Sequence, residues 1–181
     1  MTNFDITETS EPWVIFVPQG VVEVHRQLSV LEAKGGRVHR FDSRDLMTAQ
    51  GVYRSFAETL QFPDYFGMNW DAVVDCLDGL CGAVTGSGVG MAAVVHDADP
   101  LLDAEHLPLF VSVLCQGADR ANSAVDLDGF AWDRPAMPEH FVFEFRDFDS
   151  EKIALRVEQQ DLTITRGNGF IAAALNPDEW H

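Results

Sequence analysis

Short apolar runs that alternate with stretches of helical period constrain this chain more than any other feature. Trp13 to Val17 is an apolar run ended by Pro18, Arg37 to Asp42 is a brief second run, and Met91 to Val95 reads as a buried strand closing at His96-Asp97. Between the first two, Val21, Val22, Val24, Leu28 and Leu31 recur at helical spacing, and Lys34 with Gly35-Gly36 supplies a stop. Before the third, Val52, Phe56 and Leu60 form a helical face until Pro63 breaks it. Strands alternating with helices specify an α/β layer with parallel pairing.

Further along, Asp103 to Gln116 predicts a helix with Leu107, Phe110, Val111 and Leu114 on one side. Residues 118–138 are polar, contain proline and lack a period, so they read as a surface excursion. Phe141, Phe143 and Phe145 alternate as in a half-buried strand, and Ile153, Leu155 and Val157, then Leu162 and Ile164, alternate likewise. Gly167-Asn168-Gly169 is a tight-turn signal, so the C-terminal part reads as β-rich and closed by a hairpin.

Charge narrows the function. Twelve Lys and Arg stand against 29 Asp and Glu, a formal net charge of −17 in 181 residues. Nucleic-acid backbones and anionic membranes both repel such a chain, and a basic protein is its natural complement. Cys76, Cys81 and Cys115 are odd in number and lack framework spacing, and no secretory leader is visible, so reduced thiols in a cytoplasm are expected.

The segment from Phe62 to Leu80 carries the most information. Asn69 is suited to cap a helix and Gly79 to stop it, which predicts a short helix over Trp70 to Asp78. Trp70, Val73, Val74 and Leu77 then form an apolar stripe, while Asp71, Asp75 and Asp78 share another face. Asp is a poor interior helix former, and the last two oppose the helix dipole. No Lys or Arg occurs between Phe62 and Gly90. The ridge is either a plain solvated face or one whose neutralising charges belong to another molecule.

Phe62-Pro63-Asp64-Tyr65-Phe66-Gly67-Met68-Asn69-Trp70-Asp71-Ala72, continuing to Asp75-Cys76-Leu77, resembles the signature of the barstar family of bacterial ribonuclease inhibitors. The resemblance is dense over these residues and extends more loosely from Arg37 to Phe145. It implies a three-layer α/β fold, a small parallel sheet flanked by helices. On that frame, residues 1–36 form an N-terminal strand-helix extension packed on the core, 37–147 the barstar-like domain, and 148–181 a C-terminal β-rich extension with a hairpin. It also implies an intracellular self-protection or immunity protein, not an enzyme and without a cofactor, that blocks a basic secreted ribonuclease. Carried over by position, Tyr65, Asp71 and Asp75 are contact residues, Asp75 taking the place of substrate phosphate. Asp78 extends that surface. Val74 and Leu80 match partner-facing positions where tightly inhibiting members carry aromatics, a departure here. Gly67 and Asn69 shape the loop and cap the helix, with Trp70 as its structural anchor. Asp119 lies near an acidic stretch of some members but is not carried over. The alternative function is a non-inhibitory module that docks another basic partner through the same helix.

Other constellations are weaker. Asp71 with Asp75 has the groups for acid–base catalysis but no second wall of a cleft. Cys76 and Cys81 with His96 and His106 have zinc-ligand chemistry but the spacing of no common finger. His96-Asp97-Ala98-Asp99 resembles an Asp-x-Asp metal site, and Pro100 favours a strand-exit turn instead. Gly86-Ser87-Gly88-Val89-Gly90 lacks a Walker lysine and reads as a flexible connection. Trp132, Trp180 and the Phe141 to Phe145 stripe read as packing, and no metal site is expected.

Overall fold

The computed structural model describes residues 4–83, 89–126, 128–131, 133 and 135–179, with backbone alone over 81–83. Its strands are β1 (Val14–Pro18), β2 (Arg37–Asp42), β3 (Met91–His96), β4 (Glu139–Phe145), β5 (Leu162–Gly167) and β6 (Phe170–Leu175). Its helices are α1 (Val22–Ala33), α2 (Ala49–Thr59), α3 (Trp70–Ala83), α4 (Leu107–Asn122) and α5 (Ser150–Val157).

All six strands join one sheet in the order β2-β3-β4-β1-β6-β5. The first four are mutually parallel, and β6 and β5 turn back as an antiparallel pair. Parallel neighbours need crossovers, and the helices supply them. On one face Val24, Leu28 and Leu31 of α1 pack with Phe4 and Ile6 over Ile15, Val94 and Val142. On the other, Phe56, Leu77, Phe110 and Val157 pack over Phe16, Phe41 and Phe143. The result is the three-layer α/β arrangement that the resemblance implies.

Strand β4 is buried along its whole length rather than on one side only. It lies between β3 and β1, so both of its faces meet helices. Phe141, Phe143 and Phe145 enter the layer containing α3 and α4, whereas Val142 enters the α1 layer. The intervening polar side chains find partners, as buried polar groups must. The ring nitrogens of His140 lie 2.8 Å from the Glu8 carbonyl and 3.2 Å from that of Pro12. Glu144 Oε2 lies 2.6 Å from His96 Nδ1.

Three sequence expectations are corrected. Residues Ile153 to Val157 belong to helix α5, not to a strand. Asp149 caps this helix, accepting from the backbone N–H groups of Glu151 and Lys152. Its buried set is Ile153, Ala154 and Val157, a helical spacing, with Leu155 65% exposed. Helix α4 runs to Asn122 because Ala118 and Ala121 are core residues, so the excursion begins only at Ser123. Helix α3 continues past Gly79, which faces open space, because Leu80 still enters the core. The expected Gly86–Gly88 connection and the Trp132 and Trp180 side chains lie outside the described residues. The predicted C-terminal hairpin is present as β5–β6, with Gly169 at φ +81° in its turn.

Candidate functional site

The approach to α3 is set by a short ordered loop. Phe66 N–H donates to the Pro63 carbonyl at 2.9 Å, closing a turn with Asp64 and Tyr65 at its corner. Phe66 folds inward against Phe62 and Tyr53, which leaves Tyr65 87% exposed. Met68 takes the left-handed conformation at φ +51°. Asn69 then caps the helix: its Oδ1 accepts from Ala72 N–H at 2.9 Å, and its Nδ2 donates to the Gly67 carbonyl at 3.2 Å. A side chain on Gly67 would place its Cβ 3.0 Å from Asn69 Nδ2, so glycine keeps that bond intact.

Trp70 anchors the first turn. Its ring lies edge-on to Tyr53, with centroids 4.9 Å apart, and stacks on His106 at 6.0 Å. Burial lowers the His106 pKa below 6.5, so its imidazole is neutral at physiological pH, although the Leu46 carbonyl 3.0 Å from Nε2 pulls the other way.

Beneath α3, Val73, Val74, Leu77 and Leu80 pack into the core. Helix α4 comes close because residue 117 is glycine, where a Cβ would sit 2.7 Å from Leu77 Cβ and Cδ1. This packing fixes which way the acids point. Asp71 and Asp75 are exposed, and Asp78 is half-buried. Val74 and Leu80, which the resemblance placed among partner contacts, are each only 4% exposed. Val74 is a core residue; Leu80 shows an edge in the wall of a groove.

The sequence expectation that the chain leaves these aspartates unneutralised needs correction. Arg120, from the last turn of α4, donates Nη1–H to Asp75 Oδ1 at 3.1 Å. Asp75 remains 76% exposed, so this pair is a surface salt bridge of about 0.2–1 kcal/mol. It leaves the carboxylate's outer side facing solvent. No ion pair is formed by Asp71 among the described residues.

A groove flanks the ridge on each side. One, of about 240 Å³, is lined by Pro63, Tyr65, Asp75, Gly79 and Leu80. Cys76 borders it with a thiol whose pKa is raised above 9.0 by burial and by Asp75, so the thiol stays protonated and unreactive at neutral pH. The other, of about 540 Å³, is lined by Asp78, Asp119, Arg120, Val125, Asp126 and Asp128. Desolvation raises the Asp119 carboxyl above 3.8, with Arg120 pulling it the other way. Sequence reasoning missed Arg120 and the whole second groove.

The candidate metal residues are otherwise engaged. His96 faces Glu144, His106 stacks on Trp70, and Cys76 is a half-buried thiol at the edge of the first groove. The Cys81 side chain lies outside the described residues. Asp97 holds the Arg146 guanidinium through two contacts of 2.6 Å, while Asp99 accepts the backbone N–H groups of Arg146 and Asp147. These bonds make His96 to Asp99 a strand-exit corner that ties β3 to the end of β4.

The arrangement as a whole presents carboxylates to solvent on a capped helix whose other side is packed into the core. It can accept charge-assisted and bidentate guanidinium contacts, the chemistry with which a phosphate is otherwise held. The sequence matches the family model described as Barstar (barnase inhibitor) over residues 36–129, from the start of β2 to beyond α4. No curated protein matches the chain.

Proposed function

The chain belongs to the barstar family, and from that membership we propose that it inhibits a cationic microbial-type ribonuclease by entering the enzyme's active site with α3 and the loop before it. Members of the family are inhibitors rather than enzymes, and their partner is a ribonuclease. The observation that carries the finer reading is the exposure of Asp71 and Asp75 on one side of a helix whose other side is locked into the core.

A ribonuclease must gather Arg, Lys and protonatable His around one phosphate. Asp75, presented on a preorganised backbone, takes the position of that anion, and Asp71 one turn earlier adds a second acceptor. Tyr65 covers the rim of the cleft from the preceding turn. Little ordering is left to be done on binding, because the Asn69 cap and the Trp70 anchor already hold the loop and first turn. A net charge of −17 steers a basic enzyme toward the complex and raises its association rate, an effect that falls with salt. Such a protein acts within the cytoplasm of the cell that secretes the nuclease, as a self-protection factor.

The test is an RNA-cleavage assay with a cationic microbial ribonuclease. Asp75→Ala is expected to weaken inhibition by about 2–5 kcal/mol, far more than Asp119→Ala, with affinity falling as ionic strength rises. Small and equal effects from the two substitutions refute the helix-centred interface. The Arg120–Asp75 bond lends some support to a second reading, a non-inhibitory module that docks a different basic protein. Complex formation without loss of cleavage activity identifies that case.

A further inference from the structure

We propose that the turn carrying Phe130 is a second docking arm, which buries the Phe130 ring against the same cationic ribonuclease beside the groove that borders Asp78; this rests on the inhibitory reading above. Among the described residues, the large exposed aromatic side chains are Tyr65 and Phe130, at 87% and 70%. Tyr65 lines the groove on one side of α3, which also includes Asp75. Phe130 belongs to the turn whose Val125, Asp126 and Asp128 line the groove on the other side, which also includes Asp78. An exposed aromatic on one side of the acidic ridge is thus matched, on the other, by a turn that carries a second.

Phe130 is held in place rather than trailing. Asp126 N–H donates to the Phe130 carbonyl at 2.8 Å, and Asp126 Oδ1 accepts from the N–H groups of Phe130 and Asp128. Gly129 supplies the required left-handed step at φ +82°, and Val125 pairs with Ala131 across the turn. Val125, on the same turn, is itself 44% exposed. The turn follows α4, whose Arg120 contacts Asp75, so arm and ridge share one support.

Charge selects the occupant. Four carboxylates and one guanidinium line this groove, which suits a Lys or Arg side chain of a basic protein. A phenyl ring carried on the same turn, once buried by the partner, excludes water from the contact, as aromatic anchors at interface centres do. At the two α3 positions matched to partner contacts there is no such anchor, because Val74 and Leu80 are aliphatic and each only 4% exposed.

The experiment is calorimetric titration of the full chain with a panel of cationic microbial ribonucleases, barnase first, at two salt concentrations. Phe130→Ser is expected to weaken binding about tenfold or more, with melting temperature and salt dependence unchanged, and Phe130→Tyr to retain the affinity. Asp128→Asn is expected to lower the salt dependence. Binding of Phe130→Ser within twofold of the parent, while Asp75→Ala binds much more weakly, overturns the arm and leaves the helix-centred site standing. Unchanged binding in both variants, or no binding of any panel member by the parent, overturns the two together.

Discussion

Arg120 Nη1 donates to Asp75 Oδ1 across 3.1 Å and so joins the end of α4 to the exposed face of α3. In the unbound protein this guanidinium holds a place that an arginine of a partner would compete for. Arg120→Ala is therefore expected to tighten binding of a cationic ribonuclease by up to about fivefold, the equivalent of one exposed ion pair. Stopped-flow association at low salt checks it. Weaker binding would show that Arg120 instead orients Asp75 for its partner.

Gly117 is where α4 passes closest to α3. A methyl group there meets Leu77 Cβ and Cδ1 at 2.7 Å. Gly117→Ala is expected to destabilise the fold by about 1–3 kcal/mol through overpacking, more than offsetting the gain in helix propensity. Urea denaturation should show a lower midpoint with an unchanged slope, and inhibition should weaken in parallel as α3 is displaced. Equal stability would mean that Leu77 repacks freely.

Burial lowers the pKa of both His140 and His106 below 6.5. The unfolded chain then binds these protons more readily than the folded one, so stability rises with pH between the lowered values and 6.5. Melting temperature should hold near pH 7.5 and fall on acidification below about 6.5. His140→Gln should flatten part of that slope. The same variant should increase hydrogen exchange around residues 5–12, which His140 ties to β4 through the Glu8 and Pro12 carbonyls. A pH slope unaltered by the substitution rules out His140 as its source.

Glu144 is 2% exposed and is met by His96 at 2.6 Å and His25 at 3.8 Å. His96→Ala leaves a buried carboxylate without its nearest partner, and is expected to cost about 3–5 kcal/mol. His96→Ala combined with Glu144→Gln should recover part of the loss, since the uncompensated charge is removed. Thermal unfolding of the three proteins decides it, and additive losses would contradict the pairing.

The parts of the fold that could be read from the residues are those with an unambiguous period and local punctuation. β1, β2, β3, α1 and the β5–β6 hairpin are of this kind, and so is the Asn69 cap, whose partner Ala72 is only three residues away. Ile153, Leu155 and Val157 fit strand alternation by accident. The buried set includes Ala154, too small to register in a hydrophobic pattern, and the competing signal was the capping Asp149. Gly79 is a local stop signal that the tertiary burial of Leu80 overrides. Arg120 lies 45 residues from Asp75, and nothing local joins them before α3 and α4 pack. The Phe130 turn has no period at all. The bonds that order it, from Asp126 to Phe130 and Asp128, join residues two and four apart in a stretch without hydrophobic pattern, and the exposure of its ring depends on the rest of the molecule.

The position of β1 has a consequence for biosynthesis. It pairs with β4 and β6, which are translated more than a hundred residues after it. The sheet cannot be completed until those strands have been made, so an apolar Val-Ile-Phe-Val stretch must wait for partners far along the chain. Residues 36–129 contain only β2 and β3 of the six strands. Cutting the gene down to that recognisable segment would leave β3 with a bare edge where β4 belongs, and would yield an aggregating fragment in place of a minimal inhibitor.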